Sequence, residues 1–79
     1  MATIRFFAGA AEAADADGAN VNAGTIGELR AALVQRYGPE FARVLGLCSL
    51  LVNGSRATDD AAHLAETDSV DVLPPFAGG

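Results

Sequence analysis

The chain has 79 residues, ten of them acidic and five arginine, for a formal net charge of −5, and 51% of the residues are apolar. That length suits one domain, and a domain so small buries only about 60% of the surface its unfolded chain exposes. An internal pocket able to enclose a substrate would consume such a core, which argues against a self-contained enzyme. The acidic surface carries no basic stripe and repels phosphate backbones, which argues against nucleic acid. It can instead steer the chain toward a basic patch on a protein partner, and it also serves solubility. All five cationic side chains are arginines, so no side-chain amine is available as an acceptor for isopeptide bonds. An Ala/Gly/Arg-rich composition is sufficient to account for the missing lysine.

Cys48 is the only cysteine, so neither an intramolecular disulfide nor a cysteine metal cluster is expected. It lies in the apolar run Val44–Val52, where a buried, inert thiol is the expectation. That run is too short to span a membrane, and the N-terminus lacks the order of a signal peptide. A cytoplasmic location is expected.

In chain order, Thr3-Ile4-Arg5-Phe6-Phe7-Ala8 reads as a first strand, with Ile4 and Phe6 on one face and Thr3, Arg5 and Phe7 on the other. Phe7 is the odd member, an aromatic on the more polar face, placed either to close the sheet's edge or to join a docking patch. Gly9–Gly18 is rich in alanine and acid with a weak apolar stripe, and reads as a loop with at most one helical turn. Ala19–Asn22 is a poor strand, assigned because the first strand needs a hairpin partner.

Thr25-Ile26-Gly27-Glu28 has capping-box spacing, with the Thr25 hydroxyl accepting from Glu28 N–H and the Glu28 carboxylate reaching back. Ile26, Leu29, Leu33 and Tyr37 then recur at helical spacing. Gly38 is expected in a left-handed C-terminal position, with Pro39 blocking continuation and a short second helix over Glu40–Leu45. Leu47–Val52 reads as a buried strand. Asn53-Gly54 is a strong hairpin signal, with a return strand over Ser55–Ala57. A surface segment follows through Leu64. It includes His63, the only histidine, which reads as a bystander. Ser69–Leu73 alternates cleanly and makes the last strand. The layout is α+β, a β-grasp: a mixed sheet packed on one main helix, with a domain over 1–73 and a tail over 74–79.

The tail is Pro74-Pro75-Phe76-Ala77-Gly78-Gly79. Paired prolines favour an extended path, and six extended residues reach at most about 20 Å, enough to enter another protein's active site. Gly78 and Gly79 can pass a narrow channel that a side chain would obstruct, at an entropic cost on docking. Burial of the Phe76 ring at the channel mouth offsets part of that cost. A terminal carboxylate is a poor electrophile and needs activation elsewhere. The chain has no phosphate-binding glycine loop with lysine and no Cys/His pair in a recognisable setting.

Asp71-Val72-Leu73-Pro74-Pro75-Phe76-Ala77-Gly78-Gly79 resembles the end of the ubiquitin-like sulfur carriers, in the branch of the molybdopterin synthase small subunit. The likeness extends to Ile4-Arg5-Phe6-Phe7-Ala8, Thr25-Ile26-Gly27-Glu28-Leu29 and Leu51-Val52-Asn53-Gly54. It departs at Glu66-Thr67-Asp68, where that family often has a glycine. The resemblance implies adenylation of the Gly79 carboxylate by an E1-like enzyme, which uses ATP, with no cofactor bound by this chain. It further implies conversion to a thiocarboxylate by a persulfide sulfur donor, then delivery of sulfur to a pterin precursor inside the large catalytic subunit of molybdopterin synthase. Gly78, Ala77, Phe76, Pro75 and Phe7 are expected to contact partners. Sulfur carriers for cysteine or thiamine synthesis, and ubiquitin-like protein modifiers, are the alternatives.

Overall fold

The computed structural model describes residues 1–75. Its elements are β1 (Ala2–Phe6), α1 (Ala8–Ala14), β2 (Gly18–Val21), α2 (Ile26–Tyr37), α3 (Pro39–Leu45), β3 (Ser49–Val52), β4 (Ser55–Ala57) and β5 (Ser69–Leu73). The strands form one sheet in the order β2-β1-β5-β3-β4. β1 and β5 run parallel at its centre, from Thr3 opposite Ser69 to Phe6 opposite Val72, and the other pairings are antiparallel. This is the β-grasp arrangement, and β1 is an interior strand, so Phe7 does not close a sheet edge.

Period-two alternation divides the sheet into two faces. Ile4, Phe6, Leu50, Val70 and Val72 point into the core, where they meet Ile26, Leu29 and Leu33 of α2, Phe41 and Leu45 of α3, and Ala10 and Ala14 of α1. Phe6, Tyr37 and Phe41 pack as an aromatic trio with ring centroids 5.1–5.5 Å apart, Phe6 edge-on to both of the others, an arrangement the ring quadrupoles favour.

The helix over 26–37 forms as expected, and the Thr25 hydroxyl accepts from Glu28 N–H at 3.2 Å. The reciprocal half of the capping box differs. Thr25 pairs with His63 in an isolated bridge, and Glu28 Oε1 accepts instead from Gly24 N–H at 3.0 Å. Gly38 has φ 94° and ψ −174°, a positive φ but with an extended ψ in place of the left-handed helical turn expected. Its N–H donates to Val34 O and its carbonyl accepts from Ala42 N–H, so one residue ends α2 and starts α3. Asn53 (φ 50°) and Gly54 (φ 87°) make the hairpin turn between Val52 and Ser55.

Two further expectations are corrected. The segment read as a loop contains α1, a seven-residue helix. Its buried face is only Ala10 and Ala14, too small a stripe to register as periodicity. Alanine's high propensity and close packing on α3 hold it in place. The third strand begins at Ser49 and not at Leu47, which is 63% exposed.

Candidate functional site

The parallel pairing of β1 with β5 decides where the tail leaves the domain. β5 ends at Leu73, and the chain continues through half-buried Pro74 and exposed Pro75. Phe76, Ala77, Gly78 and Gly79, four of the residues expected to act, lie outside the described residues. Beside the exit stands Phe7, one register step beyond the pair Phe6–Val72, with its N–H donating to Val72 O at 3.2 Å. Phe7 is 36% exposed. The Arg5 guanidinium carbon lies 5.4 Å from the centre of its ring, within cation–π range.

Arg5 is fixed by Asp71, its cross-strand neighbour on β5. Arg5 Nε donates to Oδ1 at 3.0 Å and a terminal nitrogen donates to Oδ2 at 3.4 Å. This two-pronged pairing holds the Arg5 pKa above its ordinary value and keeps the guanidinium in place against Phe7. Half-buried Leu51 and Leu73 share the open face with this pair, Leu51 directly opposite Asp71 and Leu73 opposite Ser49. The chain then enters α1 through Ala8, a non-glycine residue at φ 49°. Left-handed backbone at such a residue is uncommon and costs free energy.

Phe7 and Pro75 therefore sit at one end of the sheet, as two of the expected contact residues. Leu47 joins them there and was missed, because it was counted within a buried strand. Leu47 precedes that strand, on the turn that ends α3, so strand alternation does not assign its face and the sequence carries no local signal for its exposure. Cys48, one step before Ser49, is half-buried, its thiol donates to Val44 O at 3.1 Å, and burial pushes its pKa up. This is the setting of an inert thiol. His63 is exposed on the surface segment.

Among the described residues no group of three or more His, Cys, Asp or Glu side chains could hold a metal ion. An open depression is lined by Ala11, Glu12, Asp15, Ala16 and Asp17, a set of alanines and carboxylates. No helix of the described residues is long and apolar enough to cross a membrane.

Comparison with known proteins agrees with this geometry. Small archaeal modifier protein SAMP1 of Haloferax volcanii is 28% identical, with 99% of this chain and 98% of that one covered and a TM-score of 0.84. In the complex of subunits 1 and 2 of the molybdopterin-converting factor of Helicobacter pylori 26695, the matching chain is 26% identical, with coverage of 99% and 97% and a TM-score of 0.77. SAMP1 of Methanosarcina acetivorans shares the fold at 21% identity, with coverage of 99% and 95% and a TM-score of 0.85. No protein with a curated description matches the chain in sequence. The model of the ThiS family matches residues 4–79, from the first strand through the diglycine, and a match over nearly the whole chain means that this protein belongs to the ThiS family of ubiquitin-like sulfur carriers and modifiers.

Proposed function

We propose that this protein is the small, sulfur-donating subunit of a molybdopterin synthase, and that its working group is the carboxylate of Gly79. The observation that carries the reading is the sequence Pro74-Pro75-Phe76-Ala77-Gly78-Gly79, which follows the central strand of a ThiS-family sheet at the end where Phe7 lies. The likeness to subunit 1 of a molybdopterin-converting factor, captured with subunit 2, supports the pathway. An E1-like enzyme transfers AMP from ATP to the Gly79 carboxylate with release of pyrophosphate. The outer sulfur of a donor protein's persulfide then displaces AMP to give an acyl disulfide. Attack by a thiol on the donor's inner sulfur breaks the S–S bond, leaving a disulfide on the thiol side and a thiocarboxylate on Gly79. The resulting thiocarboxylate is more nucleophilic than a carboxylate, and tethering presents it at high effective concentration inside the large subunit. The chemistry belongs to the partners, and the site of action is the cytoplasm.

A second reading, a protein modifier joined to target lysines, is favoured by the likeness to SAMP1. Without lysine, this chain has no side-chain amine on which isopeptide-linked polymers of itself could grow.

Intact mass spectrometry of the protein from its native host separates the two. The carrier reading expects a species heavier by one sulfur-for-oxygen exchange localised to Gly79. Conjugates on target lysines in place of that species would move the assignment to the modifier. Deletion of Gly79 is expected to abolish molybdenum-cofactor synthesis in cells that depend on this chain, and unimpaired synthesis would refute the carrier role.

A further inference from the structure

Asparagine followed by glycine can rearrange without an enzyme. The backbone nitrogen of the second residue attacks the side-chain carbonyl carbon of the first, and glycine, with no Cβ, leaves that approach open. Of the three asparagines in the chain only Asn53 precedes a glycine, since Asn20 precedes Val21 and Asn22 precedes Ala23. It is exposed at the hairpin turn, with φ 50° at Asn53 and φ 87° at Gly54. A Cβ built on Gly54 meets nothing within 4 Å, so the turn itself is open.

The Asn53 side chain, however, is tied down away from Gly54. Its Oδ1 accepts from Ser69 N–H at 3.0 Å, and its Nδ2 donates to Asp68 Oδ1 at 2.9 Å. One donor and one acceptor as partners fix which end of the amide is which. The backbone adds a further bond, from Asn53 N–H to Ser69 O at 2.8 Å. Asp68 is anchored in turn, because its Oδ2 accepts from Ala65 N–H at 2.8 Å. The two side-chain bonds span 15 and 16 positions and clasp the turn between β3 and β4 to the start of β5.

Reaction at the Asn53 Cγ requires the amide to turn toward the Gly54 nitrogen, which first breaks both side-chain bonds. Ring closure then forms a bond from Gly54 N to Asn53 Cγ and expels the side-chain nitrogen, which leaves as ammonia with the Gly54 amide proton. Water opens the resulting succinimide at either carbonyl, giving aspartate or isoaspartate, and nothing is oxidised or reduced. The product cannot renew the clasp. An ionised carboxylate only accepts, and at position 53 it faces the Asp68 carboxylate with no proton between them.

We propose that Asn53-Gly54 is a self-modification site held shut by the clasp to Asp68 and Ser69, and that its deamidation is a one-way release of the β3–β4 hairpin from the start of β5. The inference is independent of the reading of Gly79.

The test ages the purified full chain in mildly alkaline buffer and follows position 53 by peptide mass spectrometry and by enzymatic methylation of isoaspartate. Asp68→Ala is expected to speed deamidation of Asn53 about tenfold or more, through loss of a charge-assisted hydrogen bond. Asp68→Asn keeps an acceptor oxygen without the charge. It should speed the reaction about threefold or more, and it covers the case in which the alanine variant fails to fold. Ile26→Val trims the buried core at α2 and should leave the rate within about twofold, because the opening is local. Rates at Asn53 no higher in the folded Asp68 variants than in wild type would overturn the clasp. An Ile26→Val rate as high as that of Asp68→Ala would place the reaction in globally unfolded chains and overturn it equally. The release is read in Asn53→Asp, where hydrogen exchange at the backbone amides of positions 53 and 69 should be about tenfold or more faster than in wild type, with Leu29 of α2 unchanged. Unchanged exchange at 53 and 69, or an equal rise at Leu29, would overturn the one-way release.

Discussion

Replacing Gly38 with alanine isolates backbone conformation from packing. A Cβ built at Gly38 meets nothing within 4 Å, yet the residue has φ 94° and ψ −174°, a region L-residues essentially do not enter. The cost of forcing a side-chain-bearing residue there is about 1–3 kcal/mol. A 79-residue domain has a total stability of roughly 4–12 kcal/mol, and a loss of about 2 kcal/mol lowers Tm by roughly 8–16 °C. Chemical denaturation with circular dichroism reads the loss directly. Gly9→Ala is the control: it lies within α1, a Cβ there also meets nothing, and its φ is not positive. That change should stabilise by about 0.5–1 kcal/mol. D-alanine at position 38, introduced by chemical synthesis, experiences the mirror-image dihedrals of an ordinary β residue and should restore or exceed the wild-type stability. A Gly38→Ala loss below about 0.5 kcal/mol, or a D-alanine variant no better than the L-alanine one, would refute the backbone argument.

Leu33 is fully buried in the centre of α2, and Leu33→Ala should cost about 2–5 kcal/mol by denaturant titration, a large share of the total. Asp68 accepts from Ala65 N–H and from the Asn53 side chain, which holds its pKa below the usual carboxylate value. A carboxylate depressed in the folded state contributes stability that is present above its unfolded pKa of about 3.9 and is lost as pH falls through the lower folded value. The Tm difference between wild type and Asp68→Asn should therefore shrink as pH falls below about 4, and a constant gap would show that the charge has no part. Gly79→Ala should abolish sulfur loading, read by intact mass, with a Tm within a few degrees of wild type. A large drop in Tm would mean that the tail supports the domain.

Much of the fold was legible because the signals were local. Thr25 before a 3.6-residue apolar period marks α2, Asn53-Gly54 marks a two-residue turn because both positions tolerate positive φ, and the alternation of Ser69–Leu73 marks β5 residue for residue. α1 was not legible, because a helix whose buried face is two alanines carries almost no periodic signal. The other half of the cap differs because Glu28 has two backbone N–H groups within reach along the chain, and its carboxylate takes that of Gly24. Leu47 was misplaced because an apolar run looks alike whether its first residue begins a strand or precedes one.

The sequence by itself determined the side-chain-poor run Ala77-Gly78-Gly79 behind a proline pair, the lack of any side-chain amine, and the elements that carry their own start and stop signals. Those are properties of neighbours along the chain, set by dihedral preference and capping. Only the tertiary structure decided that β1 and β5 lie side by side and parallel, separated by 66 positions at Arg5 and Asp71. That pairing depends on the free energy of burying Ile4, Phe6, Val70 and Val72 together, a non-local quantity no short window contains. It is also what brings Phe7 beside the point where the chain leaves β5.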